Sequence, residues 1–246
     1  MTKRVSLYPL MGLPLIVSGD NIAELIIRTC LSEDIILEDG DIIVIAQKII
    51  SKSENAIIDL KTITPSQEAE DLAKKTGRDA RLVQVYLDES LELLYTKGRM
   101  IITRHKLGFI MSSSGVDRSN VASHADEIVV LLPKNPDQSA KNIREGIYKE
   151  TNKDVAVIIN DSGGRPDREG SVGIAIGLAG IAALEVRSQN DLFGNPAKSQ
   201  IALIDELAAA ASVLMGQADE KVPVVIIRGV NYTRSNNAKI SDILGG

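Results

Sequence analysis

Asp161 and Ser162 stand side by side at the end of an apolar run, followed by Gly163-Gly164 and then by Arg165 and Arg168. A carboxylate and a hydroxyl are hard oxygen donors suited to Mg2+ or Mn2+. The two arginines are permanently charged forks that match a carboxylate or a phosphate. Glycines without a Cβ let the backbone approach a ligand closely. Together these residues read as a site for a divalent cation and an anionic substrate such as phosphate. An ordinary strand-to-loop turn with an Asp–Arg ion pair accounts for them as well. Lys48 and Lys52 follow a second apolar run, either as phosphate ligands or as part of a solvated loop. Asp117 and Asn120, three apart in GVDRSN, turn a carboxylate and an amide the same way if a helical turn starts there. The other reading is a local Asx-type turn. His105 and His124 have no second His or Cys nearby in sequence, and both are expected at the surface.

The elements that must position these groups are legible as patterns. Val155–Ile159 is a continuous β-branched run, the mark of a strand buried on both faces. It is expected to stop at the turn formers Asn160–Gly164. Open α/β sheets place their ligands at such carboxyl ends. Val5–Leu10, Ile42–Ala46, Met100–Thr103, Leu107–Met111, Ile128–Leu132 and Val222–Ile227 read as further strands. Helices are expected over Ile22–Leu31 behind the cap Asp20-Asn21, over Gln67–Thr76 behind Ser66, and over Arg78–Leu93. Two more follow, from Asp137 to Ile147 and from Ser199 to Met215, the last ending at Gly216. Val172–Ala183, with Gly173, Gly177 and Gly180, reads as a close-packed buried element. Asp191–Ala197 reads as a loop, and the tail after Val230 as frayed. Apolar strands alternating with helices give an α/β or α+β fold with a mixed sheet. The 246 residues form one module; if it has two lobes, the boundary falls near Asp191–Ser199 or Lys61–Arg99.

Composition narrows the partners. A net charge of -5 without a long basic run argues against nucleic acid and anionic membranes. Aromatic residues make up only 3% and there is no Trp, so platforms for stacking bases are scarce. The single cysteine, Cys30, excludes an internal disulfide framework and a Cys-based zinc site. No apolar run approaches the roughly 18 residues of a membrane span. The opening MTKRVSLYPL has no adequate apolar signal core, so the expectation is a soluble cytoplasmic protein. No P-loop, no GxGxxG after a strand and no GxSxG elbow occurs, so a nucleotide site must be assembled from scattered loops.

Five segments occur in one order and spacing: GLPL at Gly12–Leu15, GDIIVIAQKIISKSE at Gly40–Glu54, GVDRSN at Gly115–Asn120, NDSGGRPDREGSVGIAIG at Asn160–Gly177 and DELAAAASVLMGQ at Asp205–Gln217. With them the chain resembles the coenzyme F420-0:L-glutamate ligase family, the γ-glutamyl ligases of F420 biosynthesis, from about Val5 to Val230. The resemblance implies a non-P-loop, non-Rossmann fold and an intertwined homodimer. It also implies GTP, L-glutamate and F420-0 as substrates and a pair of divalent metals, Mg2+ or Mn2+, with a need for K+ left open. F420-0 would be activated as an acyl phosphate and attacked by the amine of glutamate, with further glutamate added through γ-linkage.

By the same resemblance Asp117 and Asp161 fall on the first metal position, and Ser162 and Gln217 on the second. Leu13, Pro14, Leu15, Ile16, Gln47, Lys48, Lys52 and Asn120 fall on guanine-nucleotide contacts. So does the loop Met215, Gly216, Gln217, Ala218, Asp219, Glu220, Lys221 and Val222. Arg165 and Arg168, beside Asp161 in sequence, are assigned to the substrate's carboxylate or phosphodiester. The family commonly has Thr where this chain has Ser162, and often Glu where it has Gln217. An amide oxygen is a weaker ligand for a hard dication than a carboxylate, which leaves occupancy of the second site open. A ligase acting on a different carboxylate and a non-catalytic GTP-binding relative remain as alternatives.

Overall fold

The computed structural model of the chain describes residues 4–118, 127–165 and 168–245. Its elements run β1 (Ser6–Leu10), α1 (Ile22–Ser32), β2 (Ile42–Ala46), α2 (Gln47–Ser53), β3 (Ile57–Asp59), α3 (Gln67–Thr76) and α4 (Ala80–Asp88). They continue β4 (Ser90–Lys97), β5 (Met100–His105), β6 (Ile110–Ser112), β7 (Ile128–Val130), α5 (Pro136–Thr151) and β8 (Ala156–Arg165). The last are β9 (Arg168–Ala179), β10 (Glu185–Asn190), β11 (Pro196–Ile201), α6 (Leu203–Met215) and β12 (Val224–Arg228). This is a mixed α/β arrangement with several sheets. Among the described residues no helix is long and apolar enough to cross a membrane.

The apolar runs become neighbours in one five-stranded sheet of order β1-β12-β2-β8-β9. Only β2 and β8 pair in parallel; the other ladders are antiparallel. Ile42–Ile45, Val157–Ile159 and Val224–Ile227 are buried throughout, which is why they carry no polar alternation. Helices α5 and α6 cover β9, with α1 against α5. A second apolar cluster, around Leu60, Leu82, Val85, Tyr86, Ile101 and Val129, belongs to the elements β3 to β7.

Helix starts follow their caps. Asn21 Oδ1 accepts from Glu24 N–H, Ser66 Oγ from Ala69 N–H, and Asn135 Oδ1 from Gln138 N–H. Several expectations are corrected. The run Asn160–Gly164 is not a turn, because β8 continues through it and pairs with β9, with Asp161 opposite Ile174 and Ser162 opposite Gly173. Cross-strand hydrogen bonds override the turn propensity of these residues. The helix expected over Arg78–Leu93 ends at Asp88; Ser90–Lys97 instead pairs with β5. Lys48 and Lys52 lie in helix α2, not in a loop. Asp191–Asn195 is a loop as expected, the tip of the β10–β11 hairpin, with Pro196 and Ala197 in β11. The tail is anchored, since Ile240 is buried and its N–H donates to Asp137. His105 is buried too: its Nδ1 accepts from Leu107 N–H, and burial pushes its pKa down. His124 and Asn120 lie outside the described residues.

Candidate active site at the carboxyl ends of the central strands

Register alone brings distant segments to one end of the sheet. Ala46 at the end of β2 lies opposite Asn160 in β8, and Ile45 lies opposite Val224 at the start of β12. Leu10 at the end of β1 pairs with the same Val224. The loop Leu13–Ile16, the helix α2 that starts at Gln47, the pair Asp161-Ser162 and the loop Met215–Val222 therefore all leave from this end. Ala46 N–H donates to Pro223 O at 2.8 Å, tying the last of these loops to β2.

A bulge sets the direction of the central pair. Ile159 faces Gly177 but Asn160 faces Ala175, so one residue of β9 is skipped. The N–H of Ala175 at this irregularity donates to Asp205 of α6 at 2.9 Å. Beyond it, successive side chains of β8 alternate. Asn160 and Ser162 turn toward α6: the Asn160 amide donates to Ser212 Oγ at 3.0 Å, and Ser162 Oγ donates to Gln217 Oε1 at 2.9 Å. Gly173 makes this approach of α6 feasible, since a Cβ there would lie 2.1 Å from Ser212 Oγ.

Asp161 turns the other way, into the field of Lys48 and Asp117. Lys48 Nζ and Asp117 Oδ2 form an ion pair at 2.7 Å, both partly buried. Asp117 is delivered by an isolated bridge to Val130, with N–H to O bonds of 2.9 and 2.8 Å in the two directions. Asp117 is thus held in a β-bridge, while Asn120, the other end of the expected turn, lies outside the described residues. Burial raises the pKa of Asp161 to about 7; the charge of Asp117 adds to the rise, while Ser162 N–H and Lys48 oppose it. Lys52, one helical turn from Lys48, has its pKa lowered by burial and by Lys48, against the pull of Asp117.

The remaining expected residues divide. Gln47 is buried, and its Oε1 accepts from Ser51 Oγ at 2.8 Å. Leu15 is almost wholly exposed and Ile16 buried, on a loop whose Met11 and Gly12 N–H groups both donate to Glu33. Met215 and Val222 are buried, whereas Gln217 to Lys221 are exposed. Gly216 has φ 68°, and a Cβ there would strike the Glu220 carboxylate that accepts from Ala218 N–H. Arg168 is exposed on β9 opposite Arg165, four residues beyond Asp161 along the hairpin, or roughly 13 Å of strand. The structure does not bring Arg168 beside Asp161, and the side chain of Arg165 lies outside what is described. Missed from the sequence were Asp205, Asn160 and Ser212, which position the site; only an α6 known to lie against β9 identifies them.

A family model described as F420-0:Gamma-glutamyl ligase matches residues 11–229. The chain belongs to the F420-0:gamma-glutamyl ligase family. It is 50% identical over 230 residues to the coenzyme F420:L-glutamate ligase of Methanocaldococcus jannaschii, covering 92% of this chain and 88% of that one. The protein of the same name from Methanothermobacter thermautotrophicus is 45% identical over 227 residues, 92% and 89% of the two chains. That of Archaeoglobus fulgidus is 38% identical over 230 residues, 93% and 89%. Membership in the gamma-glutamyl ligase family makes the chain an enzyme of the ligase class. Its members therefore provide the setting in which the cluster of Lys48, Asp117 and Asp161 is read.

Proposed function

We propose that the chain is a GTP-dependent ligase that adds one or more L-glutamate residues, γ-linked, to coenzyme F420-0. The observation that carries the reading is the meeting of Lys48, Asp117 and Asp161, from three distant segments, at the carboxyl end of the sheet. A carboxylate oxygen of F420-0 attacks the γ-phosphorus of GTP, the bond to the β-phosphate oxygen breaks, and GDP leaves. The amine of glutamate then attacks the acyl carbon of the acyl phosphate and loses a proton, and inorganic phosphate departs. Both steps crowd negative charge, so cationic side chains facing the phosphates must offset the repulsion. Lys48 and Lys52 supply that charge from α2.

The donor set fits Mg2+ or Mn2+. Asp117 and Asp161 offer carboxylates on one face of β8, and Ser162 and Gln217 offer neutral oxygens on the other. Ser162 Oγ and Gln217 Oε1, joined by a 2.9 Å hydrogen bond, would both be available as oxygen ligands to a second dication. Among the described residues no three His, Cys, Asp or Glu side chains group to hold a metal by themselves, so phosphate or water oxygens complete the coordination. A dication held by Asp117 and Asp161 would supply positive charge to offset the negative charge that develops on the phosphates. Leu13–Ile16 and Met215–Val222, at the same end, are assigned to the nucleotide, and Arg168 with Arg165 to a distal part of the acceptor.

A homodimer of a single module completes the proposal. The β10–β11 hairpin is a two-stranded ribbon with Leu192 and Phe193 at 100% and 90% exposure, and such ribbons are marginal in water without a covering surface. A second copy is the cover we assign. Mass spectrometry of F420-0 incubated with the chain, GTP, Mn2+ and L-glutamate is expected to show glutamyl additions matched by GDP. With glutamate replaced by hydroxylamine, a hydroxamate is expected from the acyl phosphate. GTP turnover without any adduct would overturn the reading.

A further inference from the structure

Asp117 comes to Lys48 from the second apolar cluster, and the backbone just before it is strained. Ser113, Ser114 and Gly115 have φ of 55°, 51° and 65°, a left-handed turn closed by Val116 N–H to Ser113 O at 3.0 Å. Glycine adopts this region freely. Two serines do not, because their Cβ atoms crowd the following carbonyl. Contacts outside the turn must therefore hold it in place.

Ser114 makes those contacts. It is fully buried, and its Oγ donates to Tyr86 O at 2.7 Å. The same oxygen lies 2.8 Å from Ser90 Oγ and 2.9 Å from Thr103 Oγ1. Tyr86 O is among the last carbonyls of α4, the groups that lack a helical partner, and Ser90 Oγ donates to it as well. The hydroxyl thus joins the end of α4, the start of β4 and the middle of β5 to the turn that presents Asp117. Gly115 closes the remaining freedom, since a Cβ there would sit 2.9 Å from the Leu132 side chain.

We infer that Ser114 is a positioning residue for cation binding: its hydroxyl, locked by Thr103 and the end of α4, fixes the left-handed turn that holds Asp117 in reach of Lys48 and Asp161. This rests on the metal reading proposed above. A purely structural Ser114 would affect only stability, whereas a positioning one sets the affinity for the cation. Mn2+ binding to the full chain, read from the loss of the free-ion EPR signal, separates the two. Ser114→Gly removes the hydroxyl while relaxing the backbone, and is expected to weaken Mn2+ binding about tenfold. Thr103→Val, which keeps the shape but loses the hydroxyl, is expected to shift affinity the same way, and Thr103→Ser to return it toward wild type. If Ser114→Gly does not fold, the Thr103 pair decides. Wild-type affinity in both Ser114→Gly and Thr103→Val, with only the Tm lowered, overturns the inference. A wild-type chain that binds no Mn2+ overturns the metal reading and this inference with it.

Discussion

Each end of the central sheet carries a carboxylate at the edge of the core, and the two are treated in opposite ways. At the amino end of β2, Asp41 is 1% exposed and is gripped by Arg228, with Nε to Oδ1 and Nη2 to Oδ2 both at 2.8 Å. The same guanidinium reaches Glu38 at 2.6 Å and Ile36 O at 2.7 Å, and it lies 5.2 Å from the centre of the Tyr8 ring. Four of the five guanidinium N–H groups are engaged, so the carboxylate of Asp41 is compensated. At the carboxyl end of β8, no such fork onto Asp161 is seen among the described residues. The only cation in its field, among the causes that set its pKa, is Lys48, which is already paired with Asp117. A buried charge that is satisfied holds a fold together; one left short of compensation is poised for an added cation.

The comparison is broken most severely by Asp161→Asn. Turnover is expected to fall on the order of 10^3-fold. The Tm at pH 8 is expected to stay at or above wild type, because the variant removes an ionised group that folding disfavours. A large loss of Tm with activity per folded molecule intact would reverse the roles of the two ends. Arg228→Ala should do the converse. It strands Asp41 as a buried unpaired charge and is expected to cost about 3 kcal/mol of unfolding free energy, read by denaturant titration. Activity of the folded fraction should persist. Replacing both partners with apolar residues, Asp41→Leu with Arg228→Met, is expected to recover much of that loss, as it does for well-packed substitutes of ion pairs.

A finer test uses protons. The folded pKa of Asp161, about 7, lies above that of a free carboxylate. The folded chain therefore holds a proton that the unfolded chain has lost, and this group makes stability fall as pH rises through that window. Mn2+ must displace the same proton. Its dissociation constant should weaken about tenfold per unit below pH 7 and level off above it, as calorimetry at several pH values can check. A flat profile from pH 5 to 8 would remove Asp161 from the cation site. The smallest effect is expected for Gln217→Glu, where a carboxylate in place of an amide beside Ser162 should tighten a second ion several-fold. Mn2+ stoichiometry by EPR reads this directly.

Much of the scaffold could be read from local pattern. The apolar runs at Ile42–Ala46 and Val155–Ile159, and the caps Asn21 and Ser66, are strong signals: β2, α1 and α3 start where they place them, and β8 starts one residue later, at Ala156. The weaker readings failed where long-range pairing overrode local chemistry. Asn160–Gly164 has turn composition but is zipped into β9, and Ser90–Leu93 continues the helical pattern from Arg78 yet pairs with β5. His105 sits in a basic stretch and is nevertheless buried at the turn to Phe109, where its backbone N–H donates to Phe109 O and its Nδ1 accepts from Leu107 N–H.

The sequence by itself determined which oxygens and cations are available, and which strands would be buried. Those depend on side-chain chemistry and on periods of a few residues. Only the tertiary structure decided that Lys48, Asp117 and Asp161 share one field, that Ser162 meets Gln217, and that Arg168 is carried away along the hairpin. Register, the bulge at Asn160 and the left-handed turn before Asp117 produce those distances. The pairing of β2 with β8 and the bulge at Asn160 join residues fifteen or more positions apart, and the turn, though closed locally, is locked by Ser114 Oγ to Tyr86 O, 28 positions away; no local pattern encodes these contacts.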